Sequence, residues 1–134
     1  MNILDENILN DQKQLLKIWK IGVHQIGDDM GWKGMQDEEI IPLLHKLKRP
    51  TFFTRDSDFY HRNLCHQKYC LVYLDIGRYE VASFIRRFLR HQQFDTHAKR
   101  MGAGIRIFHS GLTVWYLHAE KEKRFEWFTK TNNP

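Results

Sequence analysis

Two short runs constrain this chain more than anything else in it: TFFT at 51–54 and CLVYLD at 70–75. Neither alternates apolar with polar residues, as a strand with one wet face does. A continuous apolar run of this length, β-branched and aromatic in character, marks a strand buried on both faces. Such strands need helices above and below them, and the intervening segments supply helical patterns. DQKQLLKIWKIG (11–22) carries Leu15, Leu16, Ile18 and Trp19 as an apolar face, with Gly22 at the C′ position. A second helix opens at Asp37, which can cap it; Glu38 and Glu39 suit its first turn, and Ile40, Ile41, Leu43, Leu44 and Leu47 form its face. Pro42 is tolerated near such a start. YEVASFIRRFLRHQ (79–92) turns Val81, Phe84, Ile85, Phe88 and Leu89 inward and its arginines outward. NIL (2–4) and VHQIG (23–27) are further strands. Strand–helix alternation through residue 92 therefore predicts an α/β chain with parallel strands, joined by right-handed crossovers and covered on both faces. After a further helical segment at 94–101, GIRIFHSGLTVWYLHAE (104–120) reads as two strands about a Ser-Gly turn. With no repeat, linker or low-complexity stretch, the expectation is one domain over 1–134, with a hairpin and tail from about 104.

In a parallel sheet the crevice outside the carboxyl ends of the strands is where ligands bind. Asp5 follows the first strand, and Asp56 and Asp58 follow TFFT. Asp37 opens the helix leading into TFFT, so it lies at the far end of that helix from the start of the strand, on the same edge as the strand's carboxyl end. Three segments thus deliver carboxylates to one edge. Clustered carboxylates repel one another and need protons or a cation. An oxygen-only set suits Mg²⁺ or Mn²⁺, one ion or two, and such ions promote phosphodiester hydrolysis. The plainer reading makes Asp37 a helix cap and DSD a turn in which aspartates bond nearby amides.

The motifs ILDEN at the start, DEEII opening the second helix and TRDSDF after the third strand, in this order across residues 3 to 59, resemble the compact PIN-like nuclease family, similar to VapC-type toxin ribonucleases. The resemblance implies a three-layer α/β/α sandwich with a mainly parallel central sheet and a C-terminal β-hairpin. It also implies Mg²⁺- or Mn²⁺-dependent RNA cleavage that leaves a 5′-phosphate and a 3′-hydroxyl. Asp5 matches the first-strand metal aspartate of the family, with Glu6 and Asn7 its neighbours. Asp37 matches the acid opening the helix, Asp56 and Asp58 the T-x-D-x-D-F pair, and Thr54 the polar residue that begins it. Larger PIN domains carry another mid-chain acid, for which Glu38 or Glu39 could substitute. As a toxin, the chain would pair with a small DNA-binding antitoxin. The alternatives are a catalytically inactive PIN-like protein-binding module and a DNA-acting nuclease with the same site.

Lys and Arg number 21 against 16 Asp and Glu, a net +5 that favours a polyanionic partner. Residues 78–106 concentrate it, with Arg86, Arg87 and Arg90 on one helix offering a face to an RNA backbone or to solvent. Arg55, between the acids, could hold a phosphate or be a solvated neighbour. Trp32 and Phe59 flank the expected crevice as stacking groups, Phe59 more readily as core. HRNLCHQKYC brings His61, Cys65, His66 and Cys70 within ten residues, but their spacing matches no paired zinc-ligand pattern. Trp115, Tyr116, Phe125, Trp127 and Phe128 suit the core, a homodimer seam or an antitoxin groove. No run approaches the roughly 18 apolar residues of a membrane span. The start MNILDENIL lacks signal-peptide character, and two cysteines suit a reducing compartment, so the expectation is a cytoplasmic protein.

Overall fold

The computed structural model describes residues 1–127 of the 134, so the expectation for Phe128 lies outside the described residues. Seven strands form one sheet in the order β2-β1-β3-β4-β5-β6-β7. They are β1 (Asn2–Leu4), β2 (His24–Gln25), β3 (Thr51–Thr54), β4 (Cys70–Leu74), β5 (Gly104–Phe108), β6 (Gly111–Trp115) and β7 (Lys123–Phe125). The first five in that spatial order run parallel. β6 returns antiparallel on β5 through His109 and Ser110, and β7 adds antiparallel to β6. The helices are α1 (Asn10–Ile18), α2 (Asp37–His45), α3 (Val81–Arg90) and α4 (His97–Arg100), with 3-10 turns at Ser57–Phe59 and Arg62–Leu64. No helix among the described residues is long and apolar enough to cross a membrane.

The apolar runs of β3 and β4 feed two cores by simple alternation. Ile3, Phe52 and Leu71 face one side, where Ile40 and Leu44 of α2 cover them. Leu4, Phe53 and Val72 face the other, against Leu16 of α1 and Val81, Ile85 and Phe88 of α3. Phe53 meets Phe88 edge-on at 5.8 Å, and Phe52 meets Phe59 at 5.1 Å. Beyond β4 the pattern changes. Ile105, Ile107, Leu112 and Val114 are buried on the α3 side, but Arg106, Phe108, Thr113 and Trp115 on the other face are only half-buried. Helical cover on the α2 side stops short of the antiparallel strands.

Three local expectations change. α1 ends at Ile18, not near Gly22: Lys20 takes a left-handed φ of 61°, and the Ile21 and Lys20 amides close back on the Leu16 and Lys17 carbonyls. The short helix also turns differently, leaving Ile18 72% exposed while Gln12 and Lys13 are buried. Gln12 accepts the Ala82 amide at the start of α3, and Lys13 reaches Asp28 and Asp29 at 2.6 and 2.7 Å. Pro42 stands just past the first turn of α2, which opens at Asp37 as expected. β7, which the charged stretch EKEKRF conceals, requires Gly111 opposite it: a Cβ there would lie 2.8 Å from the Phe125 carbonyl oxygen. Phe125 and Trp127 then cover the α3-side core, and the Trp127 indole donates to the Phe108 carbonyl at 3.1 Å.

Phe53→Ala, which hollows the core between β3 and α3, is expected to cost about 3–5 kcal/mol in urea unfolding. Ile18→Lys should stay within about 0.5 kcal/mol. A reversed order of the two effects contradicts this assignment of faces.

Candidate metal centre

β1 and β3 are neighbours, paired Ile3 to Phe52 and Leu4 to Phe53, so their carboxyl ends emerge side by side. β1 lies between β2 and β3, and the chain leaves it first to one side and then to the other, which makes this edge the switch point of the parallel sheet. The Asp5 amide continues the ladder by donating to the Phe53 carbonyl at 2.9 Å. Buried Thr54, the last residue of β3, donates its hydroxyl to Asp5 Oδ2 at 2.6 Å and accepts the Asp56 amide at 3.0 Å. One hydroxyl thus ties the first acidic segment to the second. The other Asp5 oxygen accepts the Glu6 amide at 2.8 Å.

Asp37 arrives from the opposite direction, at the start of α2. It is not the cap of that helix. Gln36 takes the cap position, and the Glu39 carboxylate accepts the Gln36 amide at 3.0 Å. The Asp37 side chain takes no part in that cap. The turn reading of DSD holds for a single oxygen: Asp56 Oδ1 accepts the Asp58 amide at 2.9 Å. Carboxylate oxygens of Asp37, Asp56 and Asp58 lie within 4.8 Å of one another, the only group of three or more His, Cys, Asp or Glu ligand atoms that converges in this way among the described residues. Asp5 stands behind this trio, joined to it through Thr54.

No cation among the described residues forms an ion pair with the four acids. The ion pairs among the described residues all use other carboxylates. Burial raises the pKa of Asp5, with the Asp56 charge adding to it, and outweighs the Thr54 and Glu6 hydrogen bonds that lower it. Burial also raises that of Asp37, followed by the charge of Asp56, a hydrogen bond shared with it, and the charges of Asp5 and Asp58. Open carboxylate oxygens, mutual repulsion and no internal counter-charge fit a hard divalent cation, and the trio could hold one.

The supporting residues divide. Glu6 serves the 28–36 loop by accepting the Gly34 amide at 2.9 and 3.0 Å. Asn7 and Glu38 are exposed and form no side-chain hydrogen bond with the described residues, and Glu39 is spent on the cap, so no further acid joins the trio. Arg55 turns away to donate to the Ile76 carbonyl at 3.2 Å. Arg86 lies 3.7 Å over the Trp19 ring, and Arg87 4.5 Å over Trp127 and 4.9 Å over Phe84, on the opposite face of the sheet from α2. Their guanidinium groups cover aromatic surface; Arg90 alone of the three is exposed. Phe59 is core, and Trp32 is 53% exposed. His61 and His66 spend Nδ1 on the Asn63 and Lys68 amides, and Cys70 is buried, so no zinc cluster forms from that run. Sequence reasoning missed Gln25, whose buried side-chain amide donates to the Asp5 and Ile8 carbonyls at 3.1 and 2.8 Å and sets the course of the chain after β1. Only the whole sheet reveals that role.

Protein-family models, curated proteins and solved structures were all compared with the chain, and none matches.

A carboxyl whose folded pKa exceeds its unfolded value weakens the fold where it is ionised, and ceases to as pH falls through the folded value. Asp5 and Asp37 therefore cost stability at neutral pH, and the metal-free protein recovers it on acidification between their raised values and the ordinary 3.8. Asp37→Asn should raise the thermal midpoint in EDTA and remove the stabilisation that Mn²⁺ gives the wild type. A lowered midpoint, as loss of a cap would give, contradicts this. Thr54→Val, which strips both segments of their shared hydroxyl, should cost about 1–3 kcal/mol in chemical unfolding.

Proposed function

We propose that this chain is a metal-dependent ribonuclease of PIN-like type, hydrolysing RNA phosphodiester bonds at the carboxyl edge of its sheet. The observation that carries the reading is the convergence of Asp37, Asp56 and Asp58 within 4.8 Å, from two separate segments and with no ion-pair partner among the described residues. Mg²⁺ or Mn²⁺ would be held by these three, and when bound supplies neutralisation of phosphate charge and activation of water. Thr54 keeps the Asp56 backbone and the Asp5 carboxylate in fixed relation. Asp5, more basic than an exposed aspartate because it is buried, is suited to take up the proton released by the attacking water. The products by this chemistry are a 5′-phosphate and a 3′-hydroxyl. Asp37, at the first turn of α2, sets the outer wall of the site.

The likeness of ILDEN, DEEII and TRDSDF to the VapC-type toxins extends the reading to a cytoplasmic toxin of a bacterial toxin–antitoxin pair, with a small DNA-binding antitoxin as partner. The half-covered face of β5 and β6, with Phe108 and Trp115, is where such a partner or a second copy would find apolar surface.

The test compares wild type with Asp56→Asn on structured and unstructured RNA and on DNA of the same sequence, in Mn²⁺ and in EDTA. The wild type should cleave RNA only with the metal, and the variant about 100-fold more slowly or worse. Equal, metal-insensitive cleavage by both proteins overturns the mechanism. Cleavage of DNA alone moves the substrate, and Mn²⁺ binding without cleavage of either leaves a binding module.

A further inference from the structure

The opposite edge of the sheet has the opposite charge. Four of the five segments that enter a parallel strand there bring a cation: the Met1 amine before β1, Arg49 before β3, Lys68 before β4 and Arg100 before β5. His45, at the last turn of α2, and His97, at the start of α4, join them. Beside them opens a cleft of about 580 Å³, lined by His45, Leu47, Arg49, Gln67, Lys68, Ala98 and Met101, with no carboxylate in its wall. That volume falls within the range of roughly 300–1,000 Å³ typical of small-ligand sites.

We propose that this cleft is a second binding site, for the phosphate group of a nucleotide. Arg49 and Lys68 are exposed at its rim and form no ion pair among the described residues, so both remain available to a phosphate. His45 supplies a ring between them, itself set edge-on against His66 at 4.5 Å. Arg100, 4% exposed, donates to the Phe94 carbonyl at 2.6 Å and to Thr51 Oγ1 at 3.2 Å, and meets His97 Nδ1 at 3.2 Å; among the described residues it has no carboxylate partner. The carboxylate whose charge it senses, Asp95, is engaged by Lys99 at 2.7 Å. A buried guanidinium without a counter-ion leaves a lasting positive field. Leu47, Ala98 and Met101 give the cleft an apolar wall, which inorganic phosphate would leave unused and a base or ribose would cover.

The ionisation of the surrounding groups agrees with a surplus of cations. Burial, then the charges of His66 and Lys68, lower the His45 pKa. Burial, then the amino terminus, Arg100 and Arg49, lower that of His97. Burial and Arg100 lower that of the Met1 amine. An anion in the cleft reverses the Coulomb part of each shift, so phosphate binding and protonation of these histidines favour one another.

The shared chemistry is a phosphate ester, carried either by a free nucleotide or by the end of an RNA strand. The test follows the ring signals of His45 and His97 by NMR, in EDTA, with AMP, adenosine and a 5′-phosphorylated pentaribonucleotide as separate probes. AMP should raise both midpoints, and Arg49→Gln should weaken its binding about tenfold, as should Lys68→Gln, with the fold checked by circular dichroism. Tighter binding of the oligonucleotide than of AMP assigns the site to a strand end, and the converse to a free nucleotide. The proposal is overturned if neither phosphorylated probe moves the two histidines, if adenosine binds as well as AMP, or if both variants bind like wild type. Asp56→Asn should bind AMP unchanged, so this site stands or fails apart from the nuclease reading.

Discussion

Three ladder pairs between β1 and β3, from Asn2–Thr51 to Leu4–Phe53, hold the acidic edge of the sheet in place. Parallel pairing puts two carboxyl ends side by side, and a single buried threonine hydroxyl converts that neighbourhood into a fixed geometry. Thr54 donates to Asp5 and accepts from the Asp56 amide, so the ends of strands separated by 49 residues in sequence share one atom. Phe52 and Phe53 hold the strand between two cores and leave the acids little freedom to relax apart. The repulsion among the acids is therefore built in. Folding free energy supplied by the cores maintains it, and a divalent cation would relieve it.

Charge follows the polarity of the strands. Acids gather where β1 and β3 end; the amino terminus, Arg49, Lys68 and Arg100 gather where β1, β3, β4 and β5 begin. A four-residue strand spans only about 13 Å, so the two fields are close in space yet separated by a dry core. The modest net charge of +5 conceals this division. An anionic strand would meet favourable potential at one edge directly and at the other once a cation had bound.

Much of the frame was legible in the sequence because it rests on local pattern. TFFT and CLVYL announce strands covered on both faces, and the position of Asp37 at the head of the helix feeding TFFT places it on the edge where Asp56 emerges. What was not legible depends on contacts distant in sequence. Lys13 and Gln12 read as the polar side of α1 until Asp28, Asp29 and Ala82 appear as their partners. Arg86 and Arg87 read as a face for RNA or for solvent, but Trp19 and Trp127 lie beneath them. β7 is hidden by its charge, because an edge strand with one wet face needs little apolar sequence. The capping role expected of Asp37 passed to Gln36 and Glu39, a one-residue shift that frees the very carboxylate the site uses.

Asp37, Asp56 and Asp58 could together hold a cation, with Asp5 tied to them through Thr54. Crystals grown in Mn²⁺ and measured at an energy where manganese scatters anomalously test it most directly. One strong anomalous peak, or two adjacent ones, is expected between these three carboxylates. No peak there, or a peak only at His61, Cys65 and His66, would contradict it.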